Sequence, residues 1–342
     1  MKTLDGIPLS VLDLCPSVSG ADVRMSLRST LGTARHVEQL GYTRYWLAEH
    51  HGAEMFLSSA TALLVEAVAA ATATIRVGSG GIMLPNHAPL VVAENFGTLE
   101  SLHPGRIDLG VGRGVGGFDA VKALLRGDRE DQPEDLGRQV TELLGYFEPD
   151  AGREREVRVG LAEGNRPPVW ILGAGANGAR LAGEMGFPFA YAYHFNTGDL
   201  TPAMSTYRKS FRPRGQLDKP YAMVCAAVIC ADTDERAQWI AGPNARVRYK
   251  LAKKQGGVPV PTPQEAASLT YTPEEQGVME AATAGNIAGS PETVQAALDR
   301  LLVDSEADEL MVTTIVHDSA DRLRSFELLA RLAGLPAPST AR

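Results

Sequence analysis

A strand-then-helix rhythm repeats along almost the whole chain, and it constrains the fold more than any other feature. Residues 9–14 (LSVLDL) make a mostly apolar run of strand length. Residues 22–40 follow with Leu27, Leu31, Ala34, Val37 and Leu40 at helical spacing. The same alternation recurs as strands at 45–49, 75–78, 107–111, 169–172, 189–193, 221–231 and 309–312. Helices at 60–71, 90–102, 135–147, 179–185, 202–211, 291–302 and 320–332 lie between and after them. About eight strands, each leading to a helix, predict a (β/α)8 TIM barrel rather than two separate α/β domains. A chain of 342 residues is long enough to close one as a single domain, residues 1–342. The stretch 234–289 breaks the rhythm. It holds Lys253-Lys254-Gln255-Gly256-Gly257, the prolines 259, 261 and 263, and few large apolar residues. It reads as a partly mobile insertion after strand seven, either a lid over the active-site face or a solvated excursion.

Charge and composition exclude several classes of function. With 33 Lys and Arg against 41 Asp and Glu the net charge is −8, whereas a nucleic-acid binder needs a basic face. Hydrophobic residues at 44 % supply a large core. The N-terminal apolar run is short and cut by Asp13, so neither a signal peptide nor a membrane span is expected there. Three cysteines, Cys15, Cys225 and Cys230, are too few for a disulfide framework and fit a reducing, cytoplasmic setting. Cys225 and Cys230 have opposite parity on one strand and should not pair.

Chemistry-bearing residues gather where the strands end. Glu49-His50-His51 closes the second strand, where barrels place catalytic groups. Side-chain alternation should point the two histidines apart, so they do not form a metal pair. His87, His103, His194 and His317 also lie near loops, as hydrogen-bonded or exposed side chains. Two loops match G-x-G-x-x-G, at 112–117 after strand four and at 173–178 after strand five. Each is either a tight βα turn or a cradle whose N–H groups meet an anion, and the second runs straight into a helix. A dinucleotide would also need an acid at the end of the following strand, and Tyr193-His194 stands there. A mononucleotide phosphate remains compatible. Gly78-Ser79-Gly80-Gly81 is a strand end that permits close approach to a flat ligand, or a plain turn.

In order, AEHH (48–51), RVGSGGIMLPNHAPLVVAE (76–94), LESLHPGRIDLGVGRG (99–114), WILGAGANGARLAGEMGFPFA (170–190) and GSPETV…ADELMVTT (289–314) resemble the bacterial luciferase-like flavin monooxygenases. The flavour is that of natural-product tailoring oxygenases. The resemblance implies the same barrel, reduced FMN at its C-terminal mouth, a separate NAD(P)H:flavin reductase, O2, a small organic substrate and a homodimer. It gives His50 an acid/base role, or one stabilising the flavin's oxygen adduct, and places a cis peptide at Gly80-Gly81 beneath the ring. Arg113 and the loop Gly173, Ala174, Gly175, Asn177 and Gly178 then hold the FMN phosphate. Gly112 replaces the cysteine of light-emitting members, so bioluminescence is not implied. Ala174, Gly175 and Gly178 replace hydroxyl residues and shift phosphate binding toward backbone groups and Asn177. Relatives that use deazaflavin F420 for hydride transfer, or that bind flavin without catalysis, supply the alternatives. Arg246, Arg248, Lys250, Lys253 and Lys254 are where a larger F420 tail would seek cations.

Overall fold

In a computed structural model the chain is described for residues 2–127, 135–149, 157–214, 216–253 and 257–336. Eight parallel strands close a barrel: β1 (Leu9–Asp13), β2 (Arg44–Leu47), β3 (Arg76–Met83), β4 (Ile107–Gly112), β5 (Val169–Gly173), β6 (Phe189–Ala192), β7 (Ala222–Cys230) and β9 (Glu309–Thr313). β6 pairs with β7, β7 with β9 and β9 with β1, so no edge remains in the ring. A ninth strand, β8 (Ile287–Gly289), adds to the far end of β7 outside the barrel. It is too short to stand out in the sequence.

Helices α1 (Val23–Gln39), α2 (Thr61–Ala71), α3 (Pro89–Leu102), α4 (Asp119–Arg126), α5 (Asp135–Phe147), α6 (Ala176–Met185) and α7 (Leu200–Ser210) wrap the first six strands. α11 (Pro291–Ser305) and α12 (Ser319–Leu332) complete the outer shell. The insertion is largely helical among its described residues: α8 (Asp234–Ala252), α9 (Pro263–Ala267) and α10 (Pro273–Thr283). One of the prolines that suggested loop, Pro263, is a helix start, and Pro273 begins the next helix. Thr262-Pro263 and Thr272-Pro273 open capping boxes, with Glu265 and Glu275 reaching back to the capping threonines. Threonine, then proline, then glutamate three residues after the cap is a helix-start signal legible in the sequence. Lys254 lies outside the described residues.

Alternation along each strand makes two cores. Outward residues such as Val11, Tyr45, Val77, Leu109 and Val224 pack under the helices in the larger cluster. Asp13, also outward, is buried and accepts bonds from Thr30 on α1 and Arg322 on α12, at 2.9 and 2.7 Å, as well as from Tyr45. Burial alone would raise its carboxyl; the Arg322 charge and these bonds hold it below the ordinary range.

Inward residues stack in layers. At the bottom, Arg44 donates to Asp108 at 2.8 Å and to Glu309 at 2.9 Å, joining β2 to β4 and β9. Arg76 donates to the other Asp108 oxygen at 2.6 Å, and Tyr221 and Ser10 donate to Glu309. Above this floor Trp46 and Trp170 meet edge to face, with ring centres 5.1 Å apart. Higher still the inward positions are small, Gly80, Gly112 and Ala192, and the barrel opens.

The floor is a buried ionic layer whose two carboxylates, Asp108 and Glu309, share one arginine, so Arg44→Met should leave them undercompensated. Urea denaturation should show a loss of about 3–5 kcal/mol. A loss below about 1 kcal/mol would mean the floor does not depend on Arg44.

Candidate active site

The mouth of the barrel, at the C-terminal ends of the strands, encloses a cavity of about 970 Å³. That is at the upper end for small-molecule sites. β2 ends at Leu47, two residues earlier than the sequence suggested, so Glu49, His50 and His51 occupy the loop after it. His50 turns into the cavity beside Phe56, with ring centres 4.9 Å apart, and its buried Nδ1 has no hydrogen-bond partner among the described residues. Burial pushes its pKa down to about 4, although Glu49 pulls the other way, so the ring is neutral at pH 7. His51 does not line the cavity but bonds to Glu49, an arrangement set by the loop and not by strand alternation.

Glu49 is the hub that sequence reasoning missed. It is buried, and its oxygens accept from His51 Nε2 (2.9 Å), His87 Nε2 (3.0 Å), Asn86 Nδ2 (3.0 Å) and the Met83 N–H (3.0 Å). Burial alone would raise its pKa; the bonds from His87, His51 and Met83 lower it overall. Asn86 continues to the Val115 carbonyl at 2.9 Å, and Arg126 on α4 donates to Asn86 at 2.7 Å and to the Gly114 carbonyl. The loop after β4 is thereby tied to the loop after β2. Gly116 completes the tie in the left-handed region (φ 66°), where a Cβ would lie 2.6 Å from the Glu49 carbonyl oxygen. Ligand atoms of Glu49, His51 and His87 lie within 4.8 Å of one another, close enough to hold a cation, but hydrogen bonds among them already account for the arrangement.

Across the cavity, β5 passes into α6 through Ala174 and Gly175. The helix begins at Ala176, three residues earlier than expected, so Asn177 and Gly178 lie in its first turn. No side chain caps that end, which leaves the first-turn N–H groups facing the cavity, and a helix N-terminus favours an anion. The exposed Arg113 lines the same cavity, its guanidinium free of any partner among the described residues. His50, Gly80, Arg113, Gly173, Ala174, Gly175, Asn177 and Gly178 thus all meet in one cavity. Gly81 does not line it; it lies beneath, where a Cβ would be 2.7 Å from the Gly110 oxygen. The Gly80-Gly81 peptide bond is cis.

His194 also lines the cavity, against the expectation that it was incidental. Its Nδ1 donates to the Cys225 carbonyl at 3.1 Å, and burial pushes its pKa down to about 3, with the Arg248 charge adding to the effect. His103 pairs with Glu66 and His317 with the Ser19 carbonyl, both away from the site. Cys225 faces the cavity, Cys230 the outer core, and all three cysteines are free.

This is a (β/α)8 barrel whose mouth brings an uncapped helix N-terminus, Arg113 and a neutral histidine to one cavity. Residues 12–309 match the family described as luciferase-like monooxygenase, and the chain belongs to that family. It is 45% identical to the uncharacterized protein YvbT of Bacillus subtilis, over 94% of this chain and 95% of that protein. It is 39% identical to a luciferase-like monooxygenase of Escherichia coli K12, over 94% and 96%. The solved structure of apo-MsnO8 superposes with a TM-score of 0.86 at 33% identity, covering 97% of this chain and 99% of that one. Two more distant structures share the fold alone. They are an oxygenating constituent of 3,6-diketocamphane monooxygenase from Pseudomonas putida with FMN (TM-score 0.67, 18% identity, 98% and 99% covered) and an F420-dependent secondary alcohol dehydrogenase (0.69, 15%, 97% and 99%). Among the described residues no helix is long and apolar enough to cross a membrane.

Two neutral, half-buried histidines make stability depend on pH. Both have folded pKa values below their unfolded ones, so the unfolded chain binds more protons and stability falls as pH drops below about 6.5 toward the folded values. Denaturation of the flavin-free protein between pH 7.5 and 5 should show this fall, and the double variant His50→Gln/His194→Gln should flatten it. Each histidine contributes at most about 1.4 kcal/mol per pH unit. An unchanged slope in the variant would mean the rings take up protons freely in the folded state.

Proposed function

We propose that the protein is an FMN-dependent monooxygenase of the two-component kind. A separate NAD(P)H:flavin reductase supplies reduced FMN, and one oxygen atom of O2 passes to a small organic substrate, in the manner of natural-product tailoring enzymes. The observation behind this reading is the pairing, across one cavity, of an anion cradle with a desolvated proton acceptor. The cradle joins the uncapped α6 N-terminus to Arg113, whose guanidinium has no partner among the described residues; the acceptor is His50 Nδ1. A phosphate dianion is what such a cradle suits. Gly80 supports the same placement, because a Cβ there would meet Leu12 Cδ1 at 2.6 Å, so the barrel wall stays flat where a ring would lie. FMN supplies the electrons and the oxygen chemistry when bound.

The chain's own residues bind, orient and exclude water. Arg113 and the N–H groups of Ala176, Asn177 and Gly178 take the phosphate. Leu12, Leu14, Trp46, Leu172 and Met311 form a dry floor. His50, neutral at working pH, accepts a proton at Nδ1 or holds one for return, while Glu49 fixes the loop that presents it. We take the chain to act as a cytoplasmic homodimer. Leu63, Val91 and Leu102 are exposed apolar residues on α2 and α3 that a second copy would cover, and the three buried thiols suit a reducing compartment.

Hydride transfer with F420 is the rival on the same barrel. Lys253, one of the cations expected to serve its tail, lies 3.6 Å from Glu274 instead. Titration with both cofactors separates the readings: tight F420 and negligible FMN binding would reverse the assignment. Stopped-flow mixing of the FMNH2-loaded protein with oxygen tests the reaction class. Reoxidation should be slower than for free reduced flavin and should couple to substrate oxidation; free-flavin behaviour with every substrate would favour a flavin-binding protein without catalysis. In that case His50→Ala would also change nothing.

Arg113→Ala should weaken FMN about ten- to a hundredfold, from the loss of one charge-assisted contact, and leave riboflavin almost unaffected. Equal losses for both ligands would place Arg113 at the ring or in support of the fold.

A further inference from the structure

His194 brings to the cavity a hydrogen-bond acceptor that the protein itself leaves unmet. Its Nδ1 lies 3.1 Å from the Cys225 carbonyl oxygen, which can only accept, so the ring proton sits on Nδ1 and Nε2 keeps its lone pair. The backbone of β7 thereby fixes the tautomer. The His194 N–H donates to the same carbonyl at 3.1 Å, its own carbonyl accepts from Arg248 on α8 at 2.9 Å, and the Phe195 ring packs against it with centres 4.4 Å apart. Burial and the Arg248 charge both oppose protonation, so Nε2 remains an acceptor at neutral pH. The half-buried ring lines the cavity, and no hydrogen bond reaches Nε2 among the described residues.

The other polar side chains of the cavity do not meet it. Glu49 is itself an acceptor, committed to His51 and His87. The Tyr191 hydroxyl donates to the Asn196 carbonyl at 2.8 Å, and Arg113 and Asn177 stand at the phosphate cradle. His50 follows β2, four strands round the ring of eight from β6, so the two imidazoles lie on opposite sides of the mouth. A neutral acceptor of fixed tautomer on a cavity wall recognises an O–H or N–H of a ligand.

That donor has two possible sources, the flavin N3–H and a substrate. Gly80, Arg113 and the α6 N-terminus, which suit the cofactor, belong to β3 and to the ends of β4 and β5, three neighbouring strands. His194 follows β6, and Cys225 on β7 and Met311 on β9 continue the wall beyond it, in the part of the mouth the cofactor elements leave over. We infer that His194 Nε2 selects an organic substrate that carries an O–H or N–H donor, such as an alcohol, phenol or amide, over an ether or ester of the same shape. This deepens the monooxygenase reading and rests on it for the word substrate, but its test needs no turnover.

The probes are phenol and anisole, titrated by calorimetry into the FMN-loaded protein. Wild type should bind phenol about three- to tenfold more tightly, the worth of one hydrogen bond. His194→Phe should remove that preference and leave anisole within twofold, while His194→Gln, whose amide oxygen can accept, should keep part of it. FMN and riboflavin affinities should be unchanged in both variants. The inference fails if wild type binds phenol no better than anisole, or if His194→Phe weakens both probes equally. It fails too if His194→Phe weakens FMN and riboflavin but not 3-methylriboflavin, which would give Nε2 to the flavin N3–H. A phenol preference that depends on His194 in a protein unable to couple reduced FMN to substrate oxidation would sink the proposed reaction and not the role of His194.

Discussion

A single guanidinium at the bottom of the barrel sets the terms for everything above it. Arg44 on β2 reaches Asp108 on β4 and Glu309 on β9, so three strands that are not neighbours in sequence are held at fixed height around the ring. A buried ion pair is weak evidence for added stability, because desolvation offsets most of the attraction. Its directional bonds nevertheless fix register. With the strands at that height Trp46 and Trp170 fill the middle of the barrel, and the next inward positions fall to glycine and alanine, leaving a cavity where a third packed layer would otherwise sit.

Above the floor, Glu49 does for the loops what Arg44 does for the strands. Its carboxylate gathers donors from the loop after β2 and from the end of β3, and through Asn86 and Arg126 it fixes the loop after β4. His50 needs none of these bonds for itself. Its Nδ1 stays unpartnered because its neighbours on either side are held elsewhere, and an unpartnered, neutral imidazole is the state a proton acceptor requires.

The cavity is electrically asymmetric although the whole chain is acidic. Its carboxylate, Glu49, is spent on histidines, and its arginine, Arg113, has no acidic partner among the described residues.

Much of this was legible in one dimension. The βα rhythm yields the barrel because strand and helix periods are local, and alternation along β7 separates Cys225 from Cys230. The glycines of the loop after β4 announce themselves because at Gly116 and Gly117 a Cβ would run into the backbone of the loop after β2. The starts of α9 and α10 were written in Thr262-Pro263 and Thr272-Pro273, and the first was hidden by reading Pro263 as a breaker rather than as a first helical residue. Tertiary structure alone decided the rest. Glu49, the Asn86-His87 pair and Arg126 come from three separate segments, and Arg248 meets His194 across 54 residues of chain. Such contacts leave no period or spacing in a sequence, because they depend on how the closed ring orients loops that are distant along it.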